Sequence, residues 1–133
     1  MADFKIPGHG EICWRELRTT DLPIAVEFYT QLFGWTTEQS KVTDLSYKEI
    51  VTDGEATGGM MAIDDSWGPE PPPSHWATYI AVENADETAA KVVANGGKVH
   101  VPPFDAPGVG RIAMVADPSG ADFAVIQFTE QPV

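Results

Sequence analysis

A chain of 133 residues with 43% hydrophobic content is long enough for one domain with a real core and too short for two ordinary ones. Its 20 acidic and 8 basic side chains give a formal charge of −12, which argues against a surface that tracks phosphates and so against nucleic acid as a partner. The lone Cys13 sits in an apolar strand pattern, "MADFKIPGHGE" lacks a basic region before an apolar core, and no stretch reaches the length of a membrane span, so the expected location is the cytoplasm, away from any membrane.

Residues Ile12 to Arg18 suit a strand, and "TTDLPIAVEFYTQLFGW" then places Leu22, Val26, Tyr29 and Phe33 on one helical face. Asp21 is a good N-cap, Pro23 falls in the first turn where its missing N–H is harmless, and Gly34 fits the C-terminal stop. "WTTEQS", "LSYKEIVT" and "GGMMAID" read as three strands between turn residues. The proline run of "DSWGPEPPPSHW" cannot continue a sheet and reads as an extended connector.

The order then repeats. "HWATYIAV" is a strand, "NADETAAKVVANGG" a helix, and "KVHVPPF", "GRIAMVADPSG" and "ADFAVIQF" supply three more strands. Asn84 with Glu87 makes a capping box, Asn95-Gly96-Gly97 a helix exit, and Asp117-Pro118-Ser119-Gly120 a tight turn, while "PPFDAPGVGR" reads as a longer Gly/Pro loop. A shift of 63 residues lays Leu22 on Ala85, Val26 on Ala89, Tyr29 on Val92 and Gly34 on Gly97, with almost no side-chain identity surviving. The expected architecture is α+β: a single domain over 1–133, with module one about 10–64, a connector at 65–74 and module two about 75–128. Each module is a βαβββ unit, and the two form a curved eight-stranded mixed sheet around a cavity with the helices outside.

On alternation, Cys13 and Leu17 point to the helix side, while Trp14, Glu16 and Arg18 point inward. Glu16 is the candidate catalytic or recognition carboxylate, because the apolar neighbours Trp14 and Met61 suit a carboxyl to proton transfer near neutrality. The competing reading is a structural ion pair with Arg18. Trp14, Trp67 on the connector and Tyr79 offer aromatic surface on which a planar or cationic ligand could stack. Trp76 is expected to pack beneath the second helix as core. His75 lies on the inward face of the fifth strand, and Arg111 either aims a guanidinium inward at an anion or pairs with one of the many acids. Neither "GHGEIC" nor "GVGRIA" follows a strand and opens a helix, so a dinucleotide site is dismissed, and no Ser-His-Asp or Cys-His arrangement is evident.

In "ELRTTDLPIAVEFYTQLFGW", "GGMMAI", "HWATYIAVENADETAAKVVANGGKV" and "GRIAMVADPSGADFAVIQF", taken in this order and spacing, the chain resembles the vicinal oxygen chelate superfamily of glyoxalases, bleomycin-resistance proteins and extradiol dioxygenases. "CWRELRTTD" is similar to the first strand of small bacterial glyoxalase-like proteins described as hydroxylases. The resemblance implies metal-ligand positions at Trp14, Met61, Ala77 and Ala124, none of which offers imidazole or carboxylate, so no metal and no other cofactor is expected. A displaced cluster of His75, Glu16 and Asp122 is the remaining way to hold an ion. The resemblance further implies a homodimer and a small-molecule ligand, aromatic or cationic, bound in the sheet cavity. The alternative is a metal-independent lyase, isomerase or hydroxylation-assisting enzyme with Glu16 as acid and base; on either reading Glu16→Gln should move stability little.

Overall fold

A computed structural model describes residues 6–39 and 47–128. Helix α1, Leu22–Phe33, starts and stops at the residues the sequence marks for it. Asp21 Oδ1 accepts from Ile24 N at 3.1 Å, and Gly34, at φ +74°, donates its N–H to Thr30 O at 2.9 Å. That left-handed C-cap is open to glycine at little steric cost. Helix α2, Ala85–Ala94, opens with Asn84 Oδ1 accepting from Glu87 N at 2.8 Å, as the capping residues predict.

The described residues also form eight strands: β1 (Ile12–Thr19), β2 (Thr36–Gln39), β3 (Lys48–Thr52), β4 (Glu55–Ala62), β5 (His75–Ala81), β6 (Lys98–Ala106), β7 (Gly110–Ala116) and β8 (Asp122–Phe128). They form the mixed eight-stranded sheet expected from the repeat, and the chain divides into two compact units, one over 14–77 and one combining the residues before 14 with those after 77. In the first unit the order is β2-β3-β4-β1, with β1 parallel to β4 and the other pairs antiparallel. In the second the order is β5-β8-β7-β6, with β5 parallel to β8 and the rest antiparallel. The same βαβββ topology thus recurs without shared side chains. Within the second unit the residues before β1 join β5, through Gly10 N to Ala81 O at 2.7 Å and Ala81 N to Glu11 O at 2.8 Å.

Burial follows the alternation. In the first unit Leu17, Leu22, Ile50 and Met60 form a core, with Ala25, Val26, Tyr29 and Trp35 packed on it, so the Leu17/Met60 face of the β1–β4 pair lies under α1. In the second, Ala113, Val115 and Val125 are buried with Val92, Val99 and Phe123 around them. Removing a side chain such as Met60 or Val125, both essentially inaccessible, would cost about 1–5 kcal/mol in lost burial and cavity formation.

Three local expectations change. The strand read from "KVHVPPF" runs on past both prolines to Ala106, so the longer loop read from "PPFDAPGVGR" shrinks to the few residues before Gly110. Proline is tolerated there because β6 terminates the strand order, where a missing N–H removes no ladder bond, and the register shifts at Val99/Val101 and Val101/Phe104 absorb the ring. The connector is not wholly extended; Asp65–Trp67 make one 3-10 turn, capped by Asp64 accepting from Ser66 N at 2.9 Å. Trp76 packs against α1, not α2. Its Nε1 donates to Tyr29 Oη at 3.2 Å, and its ring meets Tyr29 edge-on at 5.5 Å, because α1 carries the aromatic residues and α2 none.

Candidate functional site

The register of β1 on β4 sets Glu16 beside Gly59 and Arg18 beside Met61, so the face opposite the Leu17/Met60 core carries Trp14, Glu16, Arg18, Gly59 and Met61. Glu16 and Arg18 are 4% and 8% exposed, and burial at that depth requires each charge to be answered. Arg18 Nε donates to Glu16 Oε2 at 2.8 Å. Tyr47, just before β3, donates its hydroxyl to Glu16 Oε1 at 2.9 Å and accepts from Trp14 Nε1 at 2.9 Å. The Arg18 guanidinium lies over the Trp67 ring, 5.7 Å from its centroid. Five side chains therefore form one chain of contacts, Trp14–Tyr47–Glu16–Arg18–Trp67, and no buried side-chain nitrogen or oxygen among the described residues lacks a partner.

Gly59 makes this arrangement possible. A Cβ at that position would collide with the Tyr47 hydroxyl and ring carbons, so the phenol reaches Glu16 only across a residue without a side chain. Glu49, two residues after Tyr47, pairs with Gly59 across the β3–β4 ladder, which places the tyrosine on the same face. Neither residue figures among the sequence candidates. The available signal was an interior strand glycine opposite "LSYKEIVT", the pattern of a close approach by another side chain.

Of the sequence candidates, Trp14, Glu16, Arg18, Met61 and Trp67 come together on this face. His75, half-buried at the start of β5, has its Nδ1 2.7 Å from Pro73 O. Tyr79 is buried in the second unit, in register with Ala124 of β8, and its carbonyl is 3.7 Å from the Cys13 thiol. Of the two readings of Arg111, the structure shows pairing with acids. It donates through Nε and Nη2 to Asp86 at 2.8 and 3.1 Å and through Nη1 to Asp105 at 3.0 Å, on the face of β7 that carries Ala113 and Val115 toward α2. The bidentate contact with Asp86 holds the guanidinium more firmly protonated and the Asp86 carboxyl below its ordinary range.

Two clefts open among the described residues of the second unit, and of the sequence candidates only Asp122, from the displaced cluster, lines either of them. One of about 300 Å³ lies between β5, β8 and the start of α2, near His9, Glu83, Glu87 and Lys91; the other, of about 390 Å³, borders the turn at Asp117–Gly120 near His100 and Asp122. The ligand positions implied by the family carry an indole, a thioether and two methyl groups, chemistry that does not fit a divalent ion wanting imidazole or carboxylate. Within either unit, no group of three or more His, Cys, Asp or Glu among the described residues could hold one.

Residues 11–125 match the family described as the Glyoxalase/Bleomycin resistance protein/Dioxygenase superfamily. CFP32 of Mycobacterium tuberculosis, which bears a glyoxylase name, is 38% identical over 123 residues, covering 89% of this chain and 44% of that protein. The anthracycline biosynthesis protein DnrV of Streptomyces peucetius is 35% identical over 127 residues, covering 87% of this chain and 46% of its own. The chain thus spans less than half the length of these relatives. Among solved structures, the methylmalonyl-CoA epimerase of Mycobacterium tuberculosis superposes with a TM-score of 0.61 at 16% identity, over 91% of this chain and 89% of that one. The Mn(II)-bound glyoxalase of Novosphingobium aromaticivorans gives 0.59 at 17%, over 94% and 42%. At those identities the likeness is one of fold; the family match, which runs from residue 11 to 125, goes further, and the chain belongs to the Glyoxalase/Bleomycin resistance protein/Dioxygenase superfamily.

Proposed function

We propose that this protein binds a small planar aromatic molecule against the Trp14–Tyr47–Trp67 side of its first unit, without the divalent ion that metal-using relatives hold. The observation that carries the reading is the engagement of both Glu16 oxygens, one by Arg18 and one by Tyr47. That pairing neutralises the carboxylate inside the protein, leaving aromatic surface and the Tyr47 hydroxyl as the recognition elements. A neutral or cationic ligand is favoured over an anionic one by the overall charge of −12, which attracts cations and repels anions during encounter. The likeness to DnrV lends support, since an anthracycline is a fused-ring planar compound. We place the protein in the cytoplasm as a homodimer.

A second reading keeps Glu16 as acid and base in a metal-independent lyase, isomerase or hydroxylation-assisting enzyme. It draws on the 2.9 Å contact to Tyr47, which joins the carboxyl to a second proton-bearing oxygen. Titration with an anthraquinone and with its aminated, cationic derivative distinguishes the two. Binding should quench tryptophan fluorescence and raise the melting temperature at micromolar ligand. No response from either compound, together with turnover of a small hydroxy- or oxo-acid that Glu16→Gln abolishes, would overturn the binding reading in favour of the catalytic one.

A further inference from the structure

The cleft of about 300 Å³ in the second unit has an apolar floor. The β5–β8 register sets Ile80 beside Val125, and alternation puts Phe123 and Val82 on the same face. Ile80, Val82 and Phe123 keep part of their surface exposed, and the cause is the seat of α2. That helix packs on β6, β7 and β8 and meets the sheet through the small side chains of Ala85 and Ala89, so the space above β5 stays open. His9 stands at its edge, its Nδ1 accepting from Glu83 N at 3.0 Å, on a segment tied to β5 by the bond from Gly10 N to Ala81 O.

The rim is charged. Glu83 precedes α2, and Glu87, Thr88 and Lys91 line the cleft from the helix. Glu87 and Lys91 stand at i and i+4, the spacing at which a glutamate and a lysine ordinarily pair on a helix, yet among the described residues neither they nor Glu83 makes an ion pair. The Thr88 hydroxyl donates to Asn84 O at 2.8 Å, which leaves its lone pairs to accept. Two carboxylates, a hydroxyl acceptor and one ammonium thus border an apolar floor.

We propose that this cleft binds a free α-amino acid with a branched aliphatic side chain, a site carried wholly by the second unit and independent of the aromatic reading of the first. Charge selects a zwitterion. A lone anion meets two carboxylates, a lone cation faces Lys91, and a neutral apolar molecule answers none of the three charges. An amino acid carries its ammonium and carboxylate on one carbon, and the ~6 Å rise between Glu87 and Lys91 lets it bridge them, with Glu83 and Thr88 also facing the ammonium. Its side chain then covers Ile80, Val82 and Phe123. Size agrees: at the ~30 Å³ that a water occupies in the liquid, the cleft holds about ten non-hydrogen atoms, the scale of leucine.

Titration of the ¹⁵N-labelled full chain with leucine to about 10 mM, followed by amide NMR, tests the assignment. Saturable shifts should appear at Glu83, Thr88 and Lys91, half-complete at or below about 1 mM. N-acetylleucine, which lacks the ammonium, leucinamide, which lacks the carboxylate, and glycine, which lacks the side chain, should each bind about tenfold more weakly or less. Lys91→Gln, a change at an exposed position, should abolish the preference for leucine over leucinamide. No shifts from leucine at 10 mM would overturn the proposal. So would leucinamide binding the wild type as tightly as leucine, which marks a plain cation site, glycine matching leucine, which marks ion pairing without the cleft, or a leucine preference that survives Lys91→Gln.

Discussion

Replacing Glu16 by glutamine tests whether the charged pair on β1 is a unit of the fold. The side chains of Arg18 and Glu16 are 9% and 5% exposed, so removing one charge strands the other in a medium that solvates it poorly. Breaking a buried pair from one side costs about 3–5 kcal/mol, and glutamine, which can still accept from Tyr47, should bring Glu16→Gln to the lower end, about 3 kcal/mol. Arg18→Met, which keeps the packing against Trp67 but deprives the carboxylate of its guanidinium, should cost about as much. The double variant removes both charges and should lose only about 1 kcal/mol, giving a coupling energy of roughly 4–5 kcal/mol. On a domain of ordinary stability each single change would lower the melting temperature by about 10 °C. A loss of this size would mark Glu16 as the structural partner of Arg18, whereas a Glu16 that faces a ligand cavity should move stability little on becoming glutamine. Urea denaturation of the four proteins at pH 7, with a common m-value, reads the cycle. Single variants within about 0.5 kcal/mol of wild type, or a double variant equal to their sum, would refute the argument.

Gly59→Ala should evict the Tyr47 phenol and cost about 1–3 kcal/mol, seen as a lower urea midpoint and altered Trp14 emission; pairing it with Tyr47→Phe should show strong coupling, and additive effects would contradict the contact. Acid stability follows from Asp64, Asp86 and Asp117, held below their ordinary value of 3.8 by hydrogen bonds from Ser66, Arg111 and Ser119 respectively. A carboxyl whose folded value is depressed contributes stability that is complete above the unfolded value and lost as pH falls through the folded one, so Asp86→Asn should flatten the loss of stability below about pH 4 and do so less at high salt. Protein dialysed against buffer without chelator should retain no stoichiometric divalent ion by elemental analysis, and one tightly held equivalent per chain would place a metal site at residues other than the four implied by the family.

The repeat, both helices and the facing of β1 were legible because they depend on local chemistry. Asp21, Gly34 and Asn84 satisfy backbone groups within four residues of themselves, and the alternation of Trp14, Glu16 and Arg18 against Leu17 needs no knowledge of what lies opposite. What depended on partners far along the chain was not. Tyr47 lies 31 residues from Glu16, and its position in "LSYKEIVT" says nothing of its hydroxyl until the β3–β4 register sets it across Gly59. The loop read from "PPFDAPGVGR" was too long for a related reason: Gly and Pro count against a strand in general, but less where the strand ends the sheet order, and that place is a property of topology. Trp76 followed whichever helix offered aromatic partners, a choice fixed by Tyr29 and Trp35.

An apolar pair at positions 16 and 18 would fill the same space at lower desolvation cost, so stability alone does not account for the charged one. What the pair does supply is orientation. Carboxylate oxygens have directions, and with Oε2 fixed by Arg18 the remaining oxygen presents one acceptor toward which the Tyr47 hydroxyl turns, while that hydroxyl in turn accepts from Trp14. The indole and the phenol are thereby each held by a directional contact, and Arg18 in the same way faces the ring of Trp67. Rings held in place before a ligand arrives lose little side-chain entropy when one binds, and on a flat, sequence-tolerant contact such as aromatic stacking that saving separates a specific site from a sticky surface. On the proposed binding reading, the charges on this face would act on recognition through the geometry of their neighbours.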